Sequence, residues 1–118
     1  MIGLSFHVGS QVNSAKRHVE AIEQCKKILN NAQEKGLGLK ILDIGGGFPV
    51  DYDGNGFDIY SFCEPIWKAL AGVPKNIKLL AEPGRFISAP CITSVSSVMG
   101  KALWNDKTWF YLDDGLYG

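Results

Sequence analysis

The chain has 118 residues, enough for one ordinary domain, and 46% of them are hydrophobic and 11% aromatic, which excludes a disordered polar polypeptide. Twelve basic and twelve acidic residues cancel, and neither sign gathers into a run, so nothing favours a nucleic-acid groove or an anionic membrane as partner. Cys25, Cys63 and Cys91 are odd in number and widely spaced, which argues against a disulfide framework or a zinc site and for inert buried thiols in a reducing, cytosolic setting. The N-terminus has no charged leader followed by an apolar run, and no stretch approaches the roughly 18 apolar residues of a membrane span.

Residues 4–8 are short, apolar and followed by Gly9-Ser10, the pattern of a buried strand entering a loop. A helix follows. Asn13 or Ser14 can cap it, and Ala15, Val19, Ile22, Cys25, Leu29 and Ala32 recur at spacings of three and four to give one apolar stripe. Lys35-Gly36 supplies a cation for its last turn and a glycine for a left-handed stop. Residues 40–44 predict a second strand, broken by Gly45-Gly46-Gly47 and Pro49. The polar, turn-rich stretch 50–56 is the best candidate for a mobile surface segment.

A second helix is expected over about 58–70, where Ile59, Phe62, Ile66 and Leu70 share a face. Pro65 implies either a late start, with Ser61 or Glu64 near the cap, or a kink. Residues 78–81 predict a third strand ending at Glu82-Pro83-Gly84, so the order is βαβαβ. After Pro90 the texture changes, because 92–98 alternates in part and 108–112 is aromatic and β-prone. This predicts the start of a separate antiparallel β region. Three parallel strands make a narrow sheet with exposed edges, so further strands are expected and the chain reads as a piece of something larger.

Three strings carry the chemistry: Phe6-His7-Val8-Gly9-Ser10, Gly45-Gly46-Gly47-Phe48-Pro49 and Glu82-Pro83-Gly84-Arg85. Each follows a predicted strand, and a parallel βα fold brings all three to one end of the sheet. The glycine triplet leaves backbone N–H groups open to a phosphate, Ser10 adds a hydroxyl, and Arg85 can add a charge-assisted bond. A carboxylate such as Glu82 can keep a pyridine nitrogen protonated, and the His7 imidazole can stack on a flat ring. Each also has a bland reading. The triplet can be a tight turn, His7 a satisfied core residue, Ser10 a turn cap, and Glu82 with Arg85 a local ion pair worth about 0–1 kcal/mol. Asp43, inside a strand, reads as a hydrogen-bonded structural carboxylate.

Taken in order, Ser-Phe-His-Val-Gly-Ser-Gln (5–11), Leu-Asp-Ile-Gly-Gly-Gly-Phe-Pro (42–49), Ala-Glu-Pro-Gly-Arg-Phe (81–86) and Asp-Asp-Gly-Leu-Tyr-Gly (113–118) resemble the ornithine/diaminopimelate/arginine decarboxylase family, most closely its lysine/ornithine branch. The resemblance implies an α/β fold: about the last three βα units of a pyridoxal-phosphate-binding (β/α)8 TIM barrel over 1–88, then the first strands of a β domain over 89–118. It places His7 on the pyridoxal ring and Glu82 at the pyridine nitrogen as the catalytic residues. It further puts Ser10, Gly45, Gly46, Gly47 (most directly) and Arg85 on the phosphate, with Pro83 and Gly84 completing the cofactor site.

The implied function is decarboxylation of a basic amino acid, L-ornithine to putrescine first, by a cytoplasmic homodimer whose active site lies at the subunit interface. In that family the Schiff-base lysine lies upstream and the substrate-binding and catalytic-cysteine positions downstream, so the isolated 118-residue polypeptide is expected to release no carbon dioxide from ornithine and to aggregate through its open strand edges. The rivals are a non-catalytic regulatory homologue resembling antizyme inhibitor, a diaminopimelate or arginine decarboxylase, and a phosphate-binding βα protein without pyridoxal chemistry.

Overall fold

A computed structural model describes residues 2–115, so Leu116, Tyr117 and Gly118 of the fourth motif lie outside the described residues. The apolar run at the start forms β1 (Gly3–Ser5), followed by α1 (Lys16–Glu34), β2 (Ile41–Asp43), α2 (Ile59–Leu70) and β3 (Lys78–Leu80). The three strands are parallel in the order β1-β2-β3, with Leu4 beside Leu42 and Leu42 beside Leu79. The βαβαβ expectation is met.

Each of these three strands is only three residues long, shorter than the predicted 4–8, 40–44 and 78–81. The sequence pattern marked where the chain is extended, and pairing does continue beyond the strands as single bonds. Phe6 N–H donates to the Asp43 carbonyl (3.2 Å), Ile44 N–H to that of Leu80 (2.9 Å) and Glu82 N–H to that of Gly45 (2.8 Å). These bonds lash together the three segments that leave the sheet.

Helix α1 buries Ile22, Cys25, Leu29 and Ala32 of the predicted stripe, with Val19 half-buried. It also buries His18, which the stripe omitted. Its cap position is Ala15, a core residue that makes no side-chain cap bond, rather than Asn13 or Ser14; the Ser14 hydroxyl accepts only the Lys16 N–H, at 3.3 Å. At the other end Gly36 takes a φ of 71°, and Leu37 N–H reaches back to the Ala32 carbonyl at 2.8 Å, the left-handed stop that Lys35-Gly36 predicted.

Helix α2 starts at Ile59, not late, since the Asp58 carboxylate accepts the N–H groups of Tyr60 (2.9 Å) and Ser61 (3.2 Å). Pro65 lies within it on the exposed side. Phe62, Ile66 and Ala69 face inward, and with Ile22, Leu42 and His18 they put the core between the two helices and the sheet. Strand β3 is different. Lys78, Leu79 and Leu80 are all exposed, the open edge expected of an incomplete sheet.

Beyond β3 run the short helix α3 (Gly84–Ser88), which the sequence reading missed, and a single 3-10 turn (Ala89–Cys91). An antiparallel hairpin follows, β4 (Val98–Trp104) and β5 (Lys107–Leu112). Strand thus begins where the alternating 92–98 segment ends. Asn105 and Asp106 join the two strands with φ of 49° and 57°, a type I′ geometry that suits the strand twist. Among the described residues no helix is long and apolar enough to cross a membrane.

Candidate functional site

Because β1, β2 and β3 are parallel, the segments after them emerge along one edge of the sheet. They border an open cleft of about 230 Å³ lined by His7, Ser10, Gly46, Gly47, Glu82, Pro83, Gly84 and Arg85. Every site residue named from the sequence is there except Gly45, which is buried and does not line it. Gln11 and Phe48 also line the cleft and were not anticipated. The volume is below the roughly 300–1,000 Å³ of a complete small-molecule site, as expected of a partial wall.

The glycine triplet is where the three segments touch. A Cβ on Gly45 would overlap the Phe6 carbonyl, one on Gly46 would stand 2.7 Å from the Glu82 carbonyl, and one on Gly47 would overlap the Gly9 carbonyl. Gly45 and Gly47 also have φ of 65° and 94°. Close approach alone therefore requires glycines here, so the tight-turn reading is correct as far as it goes. It does not account for the donors. Gly45 N–H is taken by Asp43 Oδ1 (2.9 Å), which gives Asp43 its structural role, but among the described residues neither the Gly46 N–H nor the Gly47 N–H has an acceptor. Two backbone donors at a partly buried cleft without partners suit an anion.

His7 sits just past β1, in the loop rather than in a strand, and is exposed. Gly9 N–H donates to its Nδ1 (3.0 Å), so Nε2 carries the ring proton. That Nε2 is 3.5 Å from where a Cβ of Gly46 would stand, so the missing side chain keeps space beside the imidazole. Glu82 and Arg85 are both exposed, and no ion pair among the described residues includes either, so the proposed local pair does not form. Gln11 ties the loop after β1 to the chain after the glycine triplet: its carboxamide donates to the Val50 carbonyl (3.0 Å) and accepts the Val50 N–H (2.7 Å). Further along, the exposed 51–57 loop is gathered around Asp51, whose carboxylate accepts the N–H groups of Asn55, Gly56 and Phe57.

His18 is the residue whose importance was overlooked. It is fully buried against Phe48 and Phe62, at ring-centroid distances of 5.2 and 5.9 Å, and its Nε2 lies 3.0 Å from the Gly46 carbonyl. A carbonyl can only accept, so Nε2 donates. Burial pushes the His18 pKa below its ordinary value, the bond to Gly46 opposes that shift and His7 adds to it. Folded His18 thus resists protonation while the unfolded chain takes up its proton near pH 6.5, so stability present above that pH is lost as pH falls towards the folded-state pKa. In the full-length protein carrying this segment, the thermal midpoint should fall below about pH 6.5. The decline should be shallower in H18F; identical profiles contradict it.

The cysteines need one correction. Cys25 is buried and Cys63 half-buried, and burial raises both thiol pKa values, but Cys91 is exposed rather than buried. None lines the cleft.

Residues 1–89 match the family model described as pyridoxal-dependent decarboxylase, pyridoxal binding domain. The chain belongs to the pyridoxal-dependent decarboxylase family. A solved lysine/ornithine decarboxylase from Vibrio vulnificus, complexed with cadaverine, is 53% identical to it, with a TM-score of 0.77 over 98% of this chain and 32% of that one. Among curated relatives, the lysine/ornithine decarboxylase of Selenomonas ruminantium is 36% identical over 99% of this chain and 30% of its own length. The ornithine decarboxylase of Mus musculus is 31% identical over 100% of this chain and 29% of its own length. This member of the family therefore spans about 30% of the length of the curated relatives it matches. The cofactor of the matched domain is pyridoxal phosphate, and the free glycine donors beside Ser10 and Arg85 fit its phosphate.

Proposed function

We propose that this chain forms the phosphate grip and ring-nitrogen contact of a pyridoxal-phosphate decarboxylase for a basic amino acid, L-ornithine first, with putrescine as product. The observation that carries the reading is the pair of unpartnered N–H groups at Gly46 and Gly47, set in one cleft with Ser10, Arg85, His7 and Glu82. Gly46, Gly47 and Ser10 would bind the phosphate as neutral donors, with Gly45 holding the loop through its N–H bond to Asp43, and Arg85 would add a charged, fork-shaped donor. His7 would lie against the ring, and Pro83 and Gly84 would carry the chain closely past it. Bound there, pyridoxal phosphate supplies an electron sink for the pair left when the carboxylate departs as carbon dioxide. Glu82 would hold a proton at the pyridine nitrogen, which deepens that sink.

In this reading residues 1–88 are about the last three βα units of a (β/α)8 barrel, and 89–118 begin a β domain with the β4–β5 hairpin. The open edge at β3 and the exposed hairpin support further protein on both. The complete enzyme would be a cytoplasmic homodimer in polyamine biosynthesis, with its active site at the subunit interface and its Schiff-base lysine outside this segment. Lysine is a second substrate worth testing, because the Vibrio relative has been solved with both cadaverine and putrescine.

Absorbance titration of the full-length protein with pyridoxal phosphate, in wild type and Arg85→Ala, tests the reading. Loss of a charge-assisted bond should weaken binding about 10- to 100-fold. Carbon dioxide release should be fastest from ornithine or lysine. A wild type that binds no cofactor, or binds it and decarboxylates nothing, contradicts the proposal and favours a regulatory homologue.

A further inference from the structure

The peptide between Gly46 and Gly47 joins two residues without side chains, so little in the chain itself decides which way it faces. It is also where the proposed phosphate grip is most sensitive. A trans peptide is planar, and its carbonyl and N–H point in opposite directions, so anchoring the Gly46 carbonyl also aims the Gly47 N–H. The anchor is His18. Its Nε2 lies 3.0 Å from that carbonyl, from a fully buried ring clamped by Phe48 and Phe62, while no other described group donates to it. With the carbonyl drawn into the core, the Gly47 N–H faces outward, on the side where Gly47 borders the cleft.

The cost of this arrangement is visible. His18 Nδ1 is buried with no hydrogen-bond partner, an expense that an aromatic residue packed only for shape would not incur. We propose that His18 is a positioning residue: it sets the orientation of the peptide between Gly46 and Gly47 and so presents the Gly47 N–H to the cofactor phosphate. The inference rests on the proposed function for its consequence, but the orientation itself can be read without cofactor.

The variants separate donor from shape. H18F keeps an aromatic ring between Phe48 and Phe62 and removes the orphaned Nδ1 along with the donor, so general loss of packing is not its expected effect. H18M is a second donor-free variant should H18F fail to fold. H18Q retains an amide N–H able to reach the same carbonyl. In the full-length protein, pyridoxal phosphate affinity should fall about tenfold in H18F and H18M and stay within about threefold of wild type in H18Q.

Cofactor-free crystals of the donor-free variants should show that peptide turned or in two orientations, and thermal midpoints measured alongside report stability separately. Affinity and peptide orientation unchanged in H18F or H18M, or an affinity loss in H18Q equal to theirs, overturns the proposal. So does a lowered midpoint with unaltered affinity. If wild type itself binds no pyridoxal phosphate, the functional reading fails, and the peptide orientation in cofactor-free crystals still decides the role of His18.

Discussion

Gly47→Ala should cost the full-length protein about tenfold to 100-fold in pyridoxal phosphate affinity, through strain of order 1–3 kcal/mol. Two independent features make this position intolerant. Its φ of 94° is one that L side chains rarely adopt, and the added Cβ would overlap the backbone carbonyl of Gly9 while standing 3.2 Å from Val8 Cγ2. A flexible side chain can step aside, whereas a backbone carbonyl takes its loop with it. Gly9 precedes Ser10, so relief of the clash displaces one proposed phosphate donor and tilts another. Gly38→Ala is the matched control, since a Cβ there meets nothing within 4 Å, and it should leave cofactor affinity unchanged. Titration of the two variants checks this; equal affinities contradict it.

Glu82→Gln should lower kcat about 100-fold with little change in cofactor affinity. The Glu82 backbone is structural, its N–H bonded to the Gly45 carbonyl and its own carbonyl crowding Gly46, but its side chain is exposed and in no ion pair among the described residues. The substitution therefore leaves the fold alone and removes only the negative charge. An amide cannot hold the pyridine nitrogen protonated as a carboxylate does, so the electron sink weakens while the phosphate grip stays. Steady-state kinetics with ornithine and lysine separate the two effects. An unchanged kcat means that Glu82 does not act on the ring nitrogen.

The sequence displayed most clearly what backbone chemistry dictates. Three glycines in a row have few uses outside a loop, and Glu82-Pro83-Gly84 ends a strand for similar reasons, so the convergence of the three strings followed from parallel topology. Residues whose role depends on tertiary contacts were harder to see. His18 stands in the regular spacing 15, 18, 22, 25, 29, 32, and that spacing is the available signal; an apolar stripe takes Val19 in its place. Gln11 gave no local sign, since its partner Val50 is 39 positions away. Helix α3 was hidden by its length, because a five-residue helix has no apolar period to read. The hairpin was half visible: residues 108–112 of β5 are β-prone, whereas β4 begins after Ser96-Ser97 and contains Gly100, which blurs its alternation.

The central claim is that the segments after β1, β2 and β3 form one cradle for the phosphate and ring of pyridoxal phosphate. A crystal structure of the full-length protein with the cofactor bound tests it most directly. The account predicts the phosphate within about 3 Å of the Gly47 N–H, the Ser10 hydroxyl and the Arg85 guanidinium, with the Glu82 carboxylate at the pyridine nitrogen and His7 against the ring face. A phosphate seated away from the glycine loop, or a pyridine nitrogen turned from Glu82, contradicts it.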